Sequence, residues 1–331
     1  MKLSDFDYEL PKELIAQHAS IPKDSSKLMI VRKDSVEHKK FSDVINYLEK
    51  GDVLVINEAK VSRAKLRGRK ESGGKAEVIL CKRLGKDLFK CRIKGSRLRE
   101  GIIIKFKQGL SSKIVKKNDD VFTIKFNKPI SENLKRLFEL PLPPYVKEPL
   151  KDESEYQTVY SKKEGSLAAP TAGLHFTDEL LKRIKEKGVK IAKICLHIDF
   201  GTFLPIRGKI KDHKMHEECF EISKRNAEII NNRKGRLIVV GTTCVRALES
   251  SADEKGNIIP QKSKTSLFIY PGYRFKTRID AIITNFHLPK STLLLLVSAY
   301  FGRERILEAY KLAVEKKYRF YSLGDAMILI S

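Results

Sequence analysis

Three stretches of this chain hold side chains that can move protons or bind anions, at spacings that would gather them. In Gly165-Ser166-Leu167-Ala168-Ala169-Pro170-Thr171-Ala172-Gly173-Leu174-His175-Phe176, small residues let a backbone approach a ligand or move over it. His175 is the one titratable group there, and imidazole titrates near neutrality. The stretch reads equally as a tight connection with a satisfied histidine. In Leu237 to Ser250, an apolar strand runs through Gly241 into a helix that opens on Thr242 and Thr243. Free amides with hydroxyls beside them suit a carboxylate or a phosphate. Arg246 and Glu249 share a face of that helix, where a surface ion pair is the plainer reading. The third stretch is Thr284-Asn285-Phe286-His287-Leu288-Pro289-Lys290-Ser291-Thr292, after another apolar strand. With Ser291 as a helix cap, Asn285, His287 and Lys290 lie at a strand's carboxyl end, where open α/β sheets bind ligands.

Two further clusters call for different chemistry. Arg63, Lys65, Arg67 and Arg69 alternate with Ala64, Leu66 and Gly68, so a strand would turn all four cations to one face. Such a face repels itself unless an anion such as a phosphate backbone covers it, although a solvated edge strand has the same pattern. Lys60 and Lys70 extend the stripe. His213 and His216 lie near Cys219, but a fourth ligand is not at hand, so zinc is not expected.

The elements that must position these groups fall into two kinds. Leu28 to Arg32, Asp52 to Asn57, Val189 to Ile198, Leu237 to Val240 and Ala281 to Thr284 read as strands. Helices are expected over Lys12 to Ala19, Asp43 to Leu48, from Thr177 onward, and over Asn226 to Asn232, Thr243 to Ser250 and Thr292 to Phe301. That alternation predicts an α/β fold with a mostly parallel sheet. Between them, Ala76 to Cys81, Leu88 to Ile93, Ile102 to Phe106 and Val121 to Phe126 are short β-rich runs, the mark of a small barrel or sandwich. Prolines 141, 143 and 144 close this block. The expected organisation is a discontinuous α/β domain, residues 1–60 and 150–331, with a β-barrel domain inserted at 61–149.

Composition bounds the rest. The 331 residues carry 66 Lys and Arg against 41 Asp and Glu, a net +25, and heat adaptation would have raised Lys and Glu together. A surplus of this kind favours a polyanion such as nucleic acid. The five cysteines are scattered and odd in number, as in a reducing compartment. No apolar run is long enough to span a bilayer, and Met1 to Leu10 lacks the features of a secretory signal. A cytoplasmic protein is expected.

Taken together the segments resemble the S-adenosylmethionine:tRNA ribosyltransferase-isomerase family of queuosine biosynthesis, over essentially the whole chain. The blocks that carry the resemblance include Phe6-Asp7-Tyr8-Glu9-Leu10-Pro11, Gly51-Asp52-Val53-Leu54-Val55, Leu142-Pro143-Pro144-Tyr145 and Tyr156-Gln157-Thr158-Val159-Tyr160. They continue with Ala169 to Phe176, Gly201-Thr202-Phe203, Gly241-Thr242-Thr243, Thr284 to Pro289 and Tyr318 to Met327. The resemblance implies an α/β domain with an inserted barrel. It implies transfer and isomerisation of the ribosyl group of S-adenosylmethionine onto 7-aminomethyl-7-deazaguanine at the tRNA wobble position, giving epoxyqueuosine, adenine and methionine. S-adenosylmethionine would be a co-substrate, with no prosthetic group and no metal, and a monomer is expected.

Under that reading His175 and His287 are the expected proton-handling pair, since imidazoles suit acid-base work near neutrality. Thr171, Gly173, Gly201, Thr202, Gly241, Thr242, Thr243, Arg246 and Asn285 would surround S-adenosylmethionine. Lys60, Arg63, Lys65, Arg67 and Arg69 would meet tRNA. Three departures stand out: Asn57-Glu58-Ala59-Lys60 where Asn-Asn-Thr-Arg is expected, Asp199 for a glycine, and Cys244 for a serine. A methyltransferase using the same co-substrate and a non-enzymatic RNA-binding protein are the alternatives. The first would usually show a glycine-rich loop after the first strand, and the second no convergent polar pocket.

Overall fold

The computed structural model describes residues 1–199, 206 and 208–331. Gly201 and Thr202, two of the expected ligand residues, lie outside the described residues. The described chain divides into two compact units, Met1–Lys60 with Pro143–Ser331, and Val61–Leu142.

The first unit is built on a nine-stranded sheet. Its strands are β1 (Lys27–Val31), β2 (Val36–Lys40), β3 (Val53–Asn57), β4 (Lys190–Leu196), β5 (Glu218–Ile222), β6 (Leu237–Val240), β7 (Gln261–Thr265), β8 (Ala281–Asn285) and β9 (Ala326–Ile330). Their order is β7-β5-β4-β3-β6-β8-β9-β1-β2. The run β4-β3-β6-β8 is parallel throughout. Antiparallel neighbours widen the sheet on both flanks, β5 and β7 on one side and β9 against β8 on the other, so the largely parallel sheet of the expectation is a parallel centre in a mixed sheet. β9 returns to parallel pairing with β1, and is the strand through which β1 and β2 join the rest.

Both faces of this sheet are covered, and alternation along each strand sorts the core. Met29, Val31, Val53, Val55, Val239 and Leu329 point to one side. There they meet α3 (Thr242–Ser251), α4 (Thr292–Phe301) and α5 (Arg303–Glu315). Leu28, Ile30, Leu54, Ile56, Val240 and Ile328 point to the other, against α1 (Asp178–Glu186) and the turn around Phe41 and Val44. Burial on two faces is why these strands read as unbroken apolar runs. The remaining helix, α2 (Lys224–Asn231), is capped by Ser223, whose side chain accepts from the Asn226 amide.

Two expected helices are reduced, each for a visible reason. Lys12 to Ala19 yields one 3-10 turn, Lys12–Leu14, because Ile15 bridges to Phe320 and the Phe320 amide takes the Leu14 carbonyl. Phe41–Tyr47 is 3-10 helix, buried at Phe41 and Val44, and starts after Lys40 rather than Ser42.

The second unit is a closed six-stranded antiparallel barrel. Its strands, in order round the barrel, are Val121–Phe126, Leu88–Lys94, Lys75–Arg83, Lys65–Lys70, Ile103–Lys105 and Ser111–Asn118. Leu66, Val78, Cys91, Ile104, Ile114, Phe122 and Ile124 fill it. At Gly68 the strands come so close that an added Cβ would stand 2.6 Å from the Lys105 carbonyl, which is the local reason for glycine.

Candidate functional site

The carboxyl ends of the parallel strands carry the polar groups. Asn57 ends β3, Gly241 follows β6, and Asn285 ends β8. The ends at Gly241 and Asn285 and the loop from Ala169 to Ala172 surround a cavity of about 40 Å³, lined also by Ile198, Thr242, Thr243, Thr284, His287 and Leu293. Gly241 makes the strand-to-helix turn at φ +86°, donates its amide to the Ile283 carbonyl at 2.8 Å, and so delivers α3's first turn into the cavity wall.

His287 lines the cavity and is buried. Thr284 Oγ1 lies 3.0 Å from its Nε2. Its main chain is held separately: the Tyr8 hydroxyl donates to the His287 carbonyl, and the His287 amide donates to the Tyr310 hydroxyl oxygen at 2.9 Å. Burial alone lowers its pKa from 6.5 to about 3, so it stands neutral at pH 7.

His175 is placed differently. It does not line the cavity and reaches it only through Asn285. The Asn285 Nδ2 donates to the Tyr321 carbonyl at 3.1 Å, and a carbonyl accepts only, so the amide's orientation is fixed. The same nitrogen lies 3.1 Å from His175 Nε2, which therefore accepts. The ring proton is then on Nδ1, donated to Ser26 Oγ at 2.8 Å. Phe41 stacks on the ring at 4.9 Å between centroids. Burial, and then the positive charges of Arg319 and Lys23, lower the His175 pKa to about 3. Both nitrogens are engaged, so His175 orients Asn285 and has no free lone pair. The amide's other atom, Oδ1, is buried and has no hydrogen-bond partner among the described residues.

Two neutral buried imidazoles make a pH prediction with a definite sign. Each is deprotonated in the folded chain down to about pH 3 and protonated in the unfolded chain below about 6.5. The unfolded state therefore binds more protons across that window, and stability falls as pH drops through it. The loss is on the order of 2 kcal/mol per histidine at pH 5. Urea melts at pH 7.5 and 5.0 are expected to show this decline, and His175→Asn to show a shallower one. An equal decline in both proteins would contradict the assignment.

The other expected residues divide. Thr171, Gly241, Thr242, Thr243 and Asn285 line the cavity. Gly173 does not, and it leaves room for a neighbour: an added Cβ would stand 1.9 Å from the Tyr160 hydroxyl oxygen, which is itself buried. Arg246 is buried in an ion pair with Glu218 of β5 and donates to the Leu267 carbonyl at 3.0 Å. Glu249, on the same helix, instead takes the Tyr273 hydroxyl at 3.1 Å and the Thr277 amide at 3.0 Å. Lys290 turns outward to Asp7 at 2.7 Å. Cys244 is buried, and burial pushes its thiol pKa up.

The cationic stripe is less uniform than alternation predicts. Arg63 precedes its strand and is exposed. Lys65 is buried and pairs with Glu139 at 3.2 Å, and the same carboxylate takes Arg67 at 3.1 Å. Arg69 is exposed and donates to the Gly73 carbonyl at 3.2 Å. Lys60 pairs with Glu164 at 2.9 Å. Among residues that the spacing did not mark, Ser26 and Tyr321 hold the His175–Asn285 pair. Asn57 ties β3 to β4 by accepting the Leu196 amide and donating to its carbonyl, each at 3.0 Å.

The whole chain is similar to known proteins. A family model described as queuosine biosynthesis protein matches residues 3–329. An S-adenosylmethionine:tRNA ribosyltransferase-isomerase of Desulforamulus reducens is 49% identical, over 100% of both chains. One from Fusobacterium nucleatum is 48% identical over 99% of this chain and 96% of its own. The crystal structure of an S-adenosylmethionine tRNA ribosyltransferase from Thermotoga maritima aligns with a TM-score of 0.56 at 35% identity, covering 99% of this chain and 100% of that one.

Proposed function

The chain belongs to the queuosine biosynthesis protein family, and from that premise we infer the reaction it performs. It is a transferase that moves and isomerises the ribosyl group of S-adenosylmethionine onto 7-aminomethyl-7-deazaguanine at the wobble position of tRNA. The products are epoxyqueuosine in tRNA, adenine and methionine. The observation that carries its placement in this molecule is the meeting of Thr242, Thr243, Asn285 and the neutral His287 at one set of parallel strand ends.

In this proposal His287 is the base. The sulfonium of S-adenosylmethionine acidifies the neighbouring ribose 5′ carbon, and a neutral imidazole kept uncharged by burial is ready to accept that proton. Thr284 fixes the ring through Nε2. The first turn of α3, with Thr242 and Thr243, receives the methionine carboxylate or a ribose hydroxyl. His175 is a positioning residue acting through Asn285, whose open Oδ1 accepts an N–H of S-adenosylmethionine. The cavity of about 40 Å³ is far below the 300–1,000 Å³ typical of small-molecule sites, so it forms the polar floor of the site and its walls move apart on binding. Gly201 and Thr202 remain proposed ligand residues. Arg246 acts by holding α3 in place, and Gly173 by leaving room for Tyr160.

Arg63, Arg67 and Arg69 keep exposed guanidinium groups for tRNA, with Lys60 beside Glu164 and Lys65 beneath Glu139. We take the enzyme to act as a monomer in the cytoplasm. None of the five cysteines is in a disulfide, which fits a reducing compartment, and among the described residues no helix is long and apolar enough to cross a membrane.

Replacing the open acceptor tests the ligand role of Asn285. Asn285→Leu is expected to raise the KM for S-adenosylmethionine roughly five- to a hundredfold, the range for stranding one buried polar partner. An unchanged KM would remove Asn285 from the site. The reaction itself is tested by incubating the protein with S-adenosylmethionine and tRNA bearing 7-aminomethyl-7-deazaguanine. Adenine and epoxyqueuosine appearing together are expected, whereas S-adenosylhomocysteine would make the protein a methyltransferase. Binding without turnover would make it an RNA-binding protein.

A further inference from the structure

We propose that a groove on the barrel is a docking surface for the ribose-phosphate backbone of tRNA, which deepens, and rests on, the tRNA reading above. The 82 residues of the barrel unit, Val61–Leu142, carry 23 Lys and Arg against eight Asp and Glu. That is a net +15 of the chain's +25, in one quarter of its length. The excess is concentrated further in a groove of about 920 Å³, lined by Arg67, Arg69, Lys75, Lys94, Lys105 and Lys107. Glu71 and Glu77 are the acids of its lining.

The register shows that this is a cost to the barrel. Arg69 is directly opposite Lys75 on one neighbouring strand and Lys105 on the other. Like charges facing each other across strands destabilise a sheet. Lys105 is relieved by Glu71 at 3.3 Å and Arg67 by Glu139 at 3.1 Å. Lys94 stands directly opposite Glu77, whereas among the described residues Arg69, Lys75 and Lys107 make no such ion pair. A row of cations kept unneutralised in a concave surface is matched by a row of phosphates, whose binding also releases counterions.

The rest of the lining points to backbone rather than bases, and to nucleic acid rather than protein. Phe106 is its one aromatic side chain, and the lining has no Asn or Gln, so stacking platforms and base-edge readers are lacking there. Beyond Ala76 and Phe106 it offers no apolar anchor of the kind at the centre of protein interfaces. Contact of this type contributes affinity without sequence preference. It extends the sequence-derived stripe from one strand to four, with Lys75, Lys94, Lys105 and Lys107 as the added residues.

The test compares two triple variants of the full chain with wild type, using tRNA filter binding across a salt series. Arg69→Gln/Lys75→Gln/Lys107→Gln removes three unpaired groove cations. Lys82→Gln/Lys86→Gln/Lys116→Gln removes three exposed cations from elsewhere on the barrel and controls for net charge. The groove variant is expected to bind tRNA about ten- to a hundredfold more weakly, with the slope of log K against log salt reduced by roughly two to three. Its thermal midpoint should stay as in wild type, which shows that the loss is one of binding and not of folding. Equal affinities and slopes in the two triple variants, whether both intact or both weakened, would overturn the groove. A wild-type protein that binds tRNA but releases no adenine would defeat the reaction assigned above, while the binding comparison still decides the groove.

Discussion

Replacing His287 by alanine is expected to lower the rate of adenine release roughly 10²–10⁴-fold, the usual contribution of a positioned acid-base group. The loss should fall on turnover and not on folding, because the loop does not depend on the imidazole. Its main chain is tied to the Tyr8 and Tyr310 hydroxyls, and Pro289 and Ser291 continue it into the cap of α4. Single-turnover release of adenine, with tRNA and S-adenosylmethionine both saturating, is the measurement. Added imidazole should restore part of the lost rate in the cavity left behind. With a base whose free-enzyme pKa is about 3, wild-type activity should show no acid limb between pH 7 and 5 that His287→Ala abolishes. A variant within threefold of wild type would take His287 out of the chemistry. His175→Ala should behave otherwise, raising the KM for S-adenosylmethionine through a loosened Asn285.

The largest effect on stability is expected at Glu218. Its carboxylate and the Arg246 guanidinium are almost wholly buried, with side-chain exposures of 1% and 3%. Glu218→Ala strands that guanidinium with the Leu267 carbonyl and strips the Asp199 amide of its acceptor. Breaking a buried pair from one side typically costs about 3–5 kcal/mol. For a chain of this size that is a fall in melting temperature on the order of 10 °C. Replacing both partners, Glu218→Leu with Arg246→Met, should recover most of the loss, because no charge is then left buried. Denaturant melts of the three variants decide it: a Glu218→Ala cost under 1 kcal/mol would mean that the pair does not hold α3 against β5. As α3 opens on Thr242 and Thr243, the same variant should also weaken S-adenosylmethionine binding.

Much of the fold is legible in the chain because its elements are dictated locally. Val53 to Ile56 and Leu237 to Val240 are continuous apolar runs since each residue faces a covered side of the sheet. Ser291 caps α4 and Thr177 caps α1, each side chain accepting a hydrogen bond from the amide three residues on. The strand ends at Gly241 and Asn285 mark the cavity edge for the same reason. What local pattern does not contain is partnership over distance. Arg246 sits one helical turn from Glu249, yet its partner is 28 residues upstream on another strand. Lys65 has the alternation of an outward cation, and is buried because Glu139 returns to cover it. His175 looks catalytic by type, and only Ser26 and Asn285, 149 and 110 residues away, show that its nitrogens are occupied. Lys12 to Ala19 has helical composition, but Phe320 takes its backbone bonds.

The position of β9 sets the timetable on which the molecule can be made. β1 and β2 leave the ribosome early, but the sheet reaches them only through a strand that begins at Ala326. At ordinary elongation rates the interval is roughly 15 to 60 s. Throughout it Leu28, Ile30 and Val31 have no sheet to join, while the barrel, contiguous from Val61 to Leu142, can close on its own. The nascent N-terminal hairpin is therefore the segment that a holding chaperone would have reason to cover, and synthesis of Ala326–Ile330 is the event that releases it.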